Sequence, residues 1–221
     1  MSIGYFVTGT DTGVGKTLVS CALLHRLRAQ HASVVGMKPV SAGALGDASD
    51  DVNQLRAASS LQVGADLDNP YALAEPVSPH IAAQHAGVHI DIDLIVARFR
   101  RLSVLADAVV VEGAGGFCVP LSDIHSGADL AQALGLPVVL VVGLRLGCLN
   151  HALLTQEAIR SRGLRLAGWV VNHIDPGMQA QDDNVATLRQ RLAAPLLADI
   201  TWHAGVQAAQ VQIHLPDATP Q

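Results

Sequence analysis

Short, dense apolar runs alternate along this chain with longer stretches of helical periodicity. YFVTG at residues 5–9 predicts a buried strand ending at a glycine. From Lys16 to about Gln30, Val19, Leu23 and Leu27 recur at helical spacing. SVVGMKPV (33–40) predicts a second strand stopped by Pro39, and residues 50–60 a helix with Ser49 as its N-cap. Residues 64–90, with Pro70, Pro76 and Pro79, show little periodicity and read as an ordered surface excursion. A helix then carries Ile92, Ile95, Val96, Phe99 and Leu102 on one face. Strands follow at 106–116, 136–144 and 166–174, interleaved with helices near 127–135, 150–162 and 181–193, with Gly163 suited to a C-terminal cap. After Trp202 the pattern weakens into a tail.

Such β-α alternation implies right-handed crossovers and an α/β fold, with a doubly wound, mostly parallel sheet covered by helices on both faces. No internal repeat or domain boundary interrupts it, so a single domain over 1–221 is expected. Half of the 221 residues are hydrophobic and only 3% are aromatic, which makes the core aliphatic, as a buried parallel sheet requires. A formal net charge of −5 without a Lys/Arg run argues against nucleic-acid binding. The longest apolar runs fall short of a membrane span of about 20 residues, and the chain enters its first strand too early for a signal peptide. Three cysteines, Cys21, Cys118 and Cys148, without paired metal spacing fit a reducing cytoplasm.

The candidate chemistry begins at TGTDTGVGKT (8–17). Strand, glycine-rich turn and helix form a phosphate site, because backbone N–H groups converge at a helix N-terminus. The common loop reads G-x-x-x-x-G-K-[ST]; here one more residue separates Gly9 from Gly15. Lys16 supplies a positive charge for the outer phosphates, and the Thr17 hydroxyl suits Mg²⁺. Glu112 follows a run of valines at a predicted strand end, where ligands gather in open α/β sheets. Its alternative reading is a locally satisfied strand-end charge. Lys38 adds a second cation at a strand end, although Lys-Pro by itself reads as ordinary surface. His80, His85 and His89 do not predict a metal site, and neither Cys118 nor Cys148 has a base that sequence can assign.

GTDTGVGKT, MKPVSAG, PYALAEPVSPHIAA, VVVEGAGG, VVGLRLGCLNHALLT and GWVVNH, in this order, resemble the dethiobiotin synthetase family over roughly residues 3–202. That family, of the P-loop NTPase type, uses a lengthened phosphate loop of this kind. The resemblance implies ATP- and Mg²⁺-dependent joining of CO₂ to 7,8-diaminopelargonic acid to close the ureido ring of dethiobiotin. It places Lys16 and Lys38 beside the carbamate and γ-phosphate, and Thr17, Asp51 and Glu112 around Mg²⁺. Asp51 is chosen over Asp47 and Asp50 by counting back from SSL (59–61). Nucleotide contacts are implied for Gly13, Val14, Gly15, Leu18, Gly113, Ala114 and Gly115. The adenine is expected near Asn172, His173, Thr201, Trp202 and His203. Substrate contacts are implied for Thr12, Ser41, Ala42, Gly147 and Asn150, the last two across a homodimer interface.

Three positions depart from the family pattern. Gly13 stands where an acidic residue is frequent, and Thr201 where proline is common. Ala42 lacks a hydroxyl usual on the substrate side, with Ser41 one place early. The alternative readings are a P-loop switch ATPase acting on a protein partner and a paralogous synthetase with a changed amine acceptor. An amidating synthetase would need a glutaminase domain, and a nucleotide kinase an arginine-rich lid.

Overall fold

The computed structural model describes residues 2–43, 49–202 and 205–215. The first half of the chain contains β1 (Ile3–Gly9), α1 (Lys16–Arg28), β2 (Val34–Met37), β3 (Val40–Ala42), α2 (Asp50–Ala58), α3 (Ala65–Asp68), β4 (Tyr71–Leu73), α4 (Pro79–His85) and α5 (Ile92–Leu105). The second half contains β5 (Ala108–Gly116), α6 (Gly127–Leu134), β6 (Val138–Leu144), α7 (Cys148–Ser161), β7 (Leu166–His173), α8 (Gln181–Arg191) and β8 (Leu196–Ile200). Six strands form a parallel sheet in the order β2-β5-β1-β6-β7-β8.

The central strands are valine-rich because both of their faces are buried. Alternation divides β5: Val109 and Val111 pack with Phe6 under α5, whereas Val110 packs with Tyr5 and Val7 under α1. On α1, Val19, Leu23 and Leu27 turn to the sheet; on α5, Ile92, Ile95 and Leu102 do so. Capping agrees with these boundaries. The Ser49 hydroxyl accepts from the Val52 N–H at 3.5 Å, and Ser126 forms a reciprocal capping box with Asp129 at α6. Gly163 takes the left-handed conformation just beyond α7, with φ 69°. No described helix is long and apolar enough to cross a membrane.

The fold departs from the sequence expectation in four places. The predicted strand does stop before Pro39, but the chain just beyond it forms an unforeseen strand, β3, which lies outside the main sheet and pairs in parallel with β4. The 64–90 excursion holds α3, β4 and α4, so His80 and His85 lie on a helix. β8 is an added edge strand, obscured in sequence by its short length and by Asp199. Finally, residues 205–215 are not a loose tail: Val206, Ala208, Val211 and Leu215 pack on the α1 side, Ile213 is buried, and the His214 N–H donates to the Leu197 carbonyl at 2.9 Å.

Candidate active site

β1 lies between β5 and β6; the chain crosses from β1 to β2 on one side and from β5 to β6 on the other. A crevice therefore opens beyond the carboxyl ends of the strands. It has a volume of about 680 Å³ and is lined by the phosphate loop, Lys38, Asp51, Glu112, Ala114 and Gly115. Val40, Ala42, Pro76, Val77 and Pro79 build an apolar wall.

The loop is held from below. Gly15 adopts φ +92°, and a Cβ there would lie 2.3 Å from the Asn172 amide nitrogen. That nitrogen donates to the Val14 carbonyl at 3.0 Å. Val14 itself is buried, and a Cβ on Gly143 would collide with it at 2.7 Å. The Val14 side chain thus plugs the loop into the end of the sheet. Above it, the Lys16 ammonium donates to the Asp11 carbonyl at 3.1 Å, and the Asp11 carboxylate accepts from the Thr12 N–H at 2.7 Å. The same carboxylate pairs with Arg145 from the β6–α7 turn, which ties the loop to that turn. Sequence reasoning missed this pair; Arg145 lies inside the quoted GLRLG segment but has no spacing signal that points to Asp11.

Three oxygens meet at the start of α1. Thr17 Oγ1 lies 3.0 Å from Asp51 Oδ1 and 3.0 Å from Glu112 Oε1. One hydroxyl proton cannot serve both carboxylates at once. Lys38 Nζ supplies the missing positive charge, 2.5 Å from Glu112 Oε1 and 3.1 Å from Asp51 Oδ2. Glu112 is fully buried, yet its Oε2 has no hydrogen-bond partner. A buried carboxylate with an unused oxygen beside a hydroxyl and a second carboxylate is a donor set that suits Mg²⁺. No group of three or more His, Cys, Asp or Glu among the described residues is placed to hold a metal. A cation at this point would therefore also draw on Thr17 and on ligand oxygens.

Electrostatics separate the two lysines. Burial, reinforced by the nearby Lys38 ammonium, pulls Lys16 down to about 8. Burial also opposes the charge on Lys38, but attraction to Glu112 and Asp51 outweighs it and holds Lys38 above the ordinary lysine value. Burial likewise works against a charged Asp51, and Lys38 again prevails, so this carboxyl is held below the usual range. The cleft thus holds one firmly charged lysine and one that begins to lose its charge just above neutral pH.

The remaining expected positions divide clearly. Thr12, Gly13 and Ala42 line the cleft, whereas Ser41 is buried and its hydroxyl donates to Asn69 Oδ1 at 3.3 Å. Leu18 packs at the edge of the α1 core, and Gly113 lies against Phe6. His173 is held between Gln181 at 2.6 Å and Asp199 at 2.8 Å. Thr201 and Trp202 are exposed just past β8, and His203 falls outside the described residues. Gly147 and Asn150 are exposed at the start of α7 and do not line the cleft of their own chain. Burial pushes the Cys21 thiol up to about 12 and that of Cys148 upward, which leaves both as poor nucleophiles. His85 pairs with Glu75 at 2.8 Å.

Comparison with known proteins agrees with this geometry. A family profile described as "AAA domain" matches residues 3–210. Among solved structures, the septum site-determining protein MinD of Pyrococcus horikoshii superposes with a TM-score of 0.59 at 15% identity, covering 91% of this chain and 82% of MinD. The signal recognition particle receptor FtsY of Elizabethkingia anophelis gives 0.54 at 16% identity, covering 97% of this chain and 61% of FtsY. These likenesses establish the fold. Sequence relatives are far nearer: the ATP-dependent dethiobiotin synthetase BioD of Aromatoleum aromaticum is 55% identical over 96% of both chains. The enzyme of the same name from Nitrosospira multiformis is 56% identical over 91% of this chain and 89% of its own. With identity of this order over about nine-tenths or more of each chain, the chain belongs to the dethiobiotin synthetase family.

Proposed function

We propose that the protein is an ATP-dependent cyclo-ligase that closes the ureido ring of dethiobiotin from 7,8-diaminopelargonic acid and CO₂. The observation that carries this reading is the meeting of Lys16, Lys38, Thr17, Asp51 and Glu112 around one cleft with an apolar wall. A nucleotide switch needs the phosphate loop and carboxylates. It has no use for a second buried lysine beside a hydrophobic channel that suits a methylene chain.

In this mechanism one substrate amine adds to CO₂ to give a carbamate. A carbamate oxygen attacks the γ-phosphorus of ATP and ADP departs. The second amine then attacks the carbonyl carbon of the mixed anhydride and phosphate leaves. Both phosphorus and carbonyl steps concentrate negative charge on oxygen, so fixed cations lower their barriers. Loop N–H groups and Lys16 bind the outer phosphates, and Lys38 neutralises the carbamate side. Thr17, Asp51 and Glu112 would hold Mg²⁺, which when bound spreads the charge of the ATP phosphates. Thr12 and Ala42 would face the acceptor; Thr201 and Trp202, just past β8, would lie by the adenine end, with Asn172 supporting the loop.

We read the assembly as a homodimer. Leu146 is 93% exposed and Leu154 is 56% exposed beside Gly147 and Asn150, an apolar face that a second copy would cover. From there Gly147 and Asn150 would reach a neighbouring cleft. A cytoplasmic location fits the free cysteines. The test is ATP consumption with Mg²⁺ and bicarbonate, with and without the diamine. Diamine-dependent phosphate release with dethiobiotin as product is expected; hydrolysis indifferent to the diamine would replace this reading with a switch ATPase.

A further inference from the structure

Lys38 stands just past the end of β2, at one edge of the sheet, and the next residue is a proline. The strand ladder therefore does not fix it. Residues 68–71 supply bonds to the backbone of both Lys38 and Pro39. The Lys38 N–H donates to the Asp68 carbonyl at 2.8 Å, and the Lys38 carbonyl accepts from Asn69 Nδ2 at 2.6 Å. The Pro39 carbonyl accepts from the Tyr71 N–H at 3.2 Å.

Asn69 is 5% exposed, and both ends of its carboxamide are engaged, Nδ2 with Lys38 and Oδ1 with the Ser41 hydroxyl. Burial of an amide is tolerated only when its donors and acceptors are used. Here they are used on the two residues that flank the turn. Next to it, the buried Asp68 carboxylate accepts two bonds from Arg56, each of 2.7 Å. Arg56 lies on α2, the helix whose first turn carries Asp51. A continuous polar strut thus joins the lysine to the helix that brings its carboxylate partner.

We infer that Asn69 is the positioning residue for Lys38, and that its carboxamide, keyed to α2 through the Asp68–Arg56 pair, sets where the Lys38 ammonium stands in the cleft. It touches neither substrate nor nucleotide and acts through Lys38 alone. This inference rests on the role given to Lys38 above. The strut explains why Ser41 turns away from the cleft: its hydroxyl is the second point at which Asn69 grips the turn.

The experiment compares Asn69→Ala, the isosteric Asn69→Asp and Lys38→Met with the parent, all full chains, at a temperature where circular dichroism shows each folded. Displacement of a charged group by about 1 Å can cost about a hundredfold in rate. Both Asn69 variants are therefore expected to lose about ten- to a hundredfold in kcat, with KM for ATP within about twofold, because the phosphate loop is untouched. Folded Asn69 variants with kcat within about twofold of the parent would overturn the inference while leaving Lys38 in place if Lys38→Met is inactive. Losses that merely follow the folded fraction, including failure of both variants to fold, would assign Asn69 to stability and also overturn it. Full activity of Lys38→Met would instead remove the reading on which the inference depends.

Discussion

Replacing Lys38 with Met tests how the charges of the cleft are balanced before any ligand arrives. At 2.5 Å from Glu112, the Coulomb attraction at an effective dielectric of about 20 is roughly 6–7 kcal/mol. Desolvation of two buried ions costs several kcal/mol each, so the intact pair is close to neutral in net stability. The variant is different, because Glu112 remains fully buried without its counter-charge. Removal of one partner from such a pair costs about 3–5 kcal/mol. The Thr17 hydroxyl, 3.0 Å from Glu112 Oε1, still donates one bond, which favours the lower end, about 3 kcal/mol. For a chain of this length each 1 kcal/mol moves Tm by about 2–4 °C, so a fall of roughly 6–12 °C is expected. The assay is thermal unfolding at neutral pH without nucleotide. Lys38→Met/Glu112→Gln, which removes both charges, should recover most of the loss, and millimolar Mg²⁺ should narrow the deficit of the single variant by restoring a counter-charge. A single variant within about 2 °C of the parent would refute the reasoning, as would a double variant no more stable than the single one.

Lys16, held at about 8 in the ligand-free protein, lies below the unfolded value of about 10.4. Its burial penalty is therefore in full force below pH 8 and is relieved as pH rises through that window. ATP phosphates favour the charged form, so ATP binding at pH 8 should take up as much as about half a proton, measured by calorimetry in buffers of different ionisation enthalpy. Lys16→Gln should abolish that uptake and lower kcat by about 10²- to 10³-fold; uptake that survives the substitution counts against the assignment. Burial opposes charge on Asp129, but bonds from Ser126 and Arg162 hold it down at about 2. Its stabilisation is present above pH ~4 and is lost as pH falls towards 2. Asp129→Asn should thus cost about 1 kcal/mol at pH 7 and nothing near pH 2, by urea unfolding at each pH. Ala42 lines the cleft while Ser41 is committed to Asn69, so Ala42→Ser should lower KM for the diamine. An unchanged or higher KM would show that a hydroxyl there is irrelevant.

Much of the architecture was legible because it is local. Valine runs flanked by glycine or proline mark strands buried on both faces, and Val19, Leu23 and Leu27 repeat with the period that makes one face of α1 apolar. Asp51 and Glu112 were named from the sequence, and they meet Thr17 in space. β8 was not legible, since a five-residue strand with an internal aspartate shows no decisive alternation and becomes a strand only by pairing with β7. The 64–90 segment failed for the same reason. Its helices and strand are too short to be stable alone and are selected by packing on β3 and α5.

By itself, then, the sequence determined the fold class, the phosphate loop and the chemical types gathered at the strand ends, because those follow from periodicity and side-chain chemistry. The tertiary structure decided which groups touch. Nothing in the spacing shows that Arg145 reaches Asp11, that Asn172 props the loop at Val14, or that Asn69 grips the carbonyl of Lys38. Each contact joins residues far apart in sequence or hidden in an aperiodic stretch, brought together only when the sheet orders its strands and the buried polar groups find their partners.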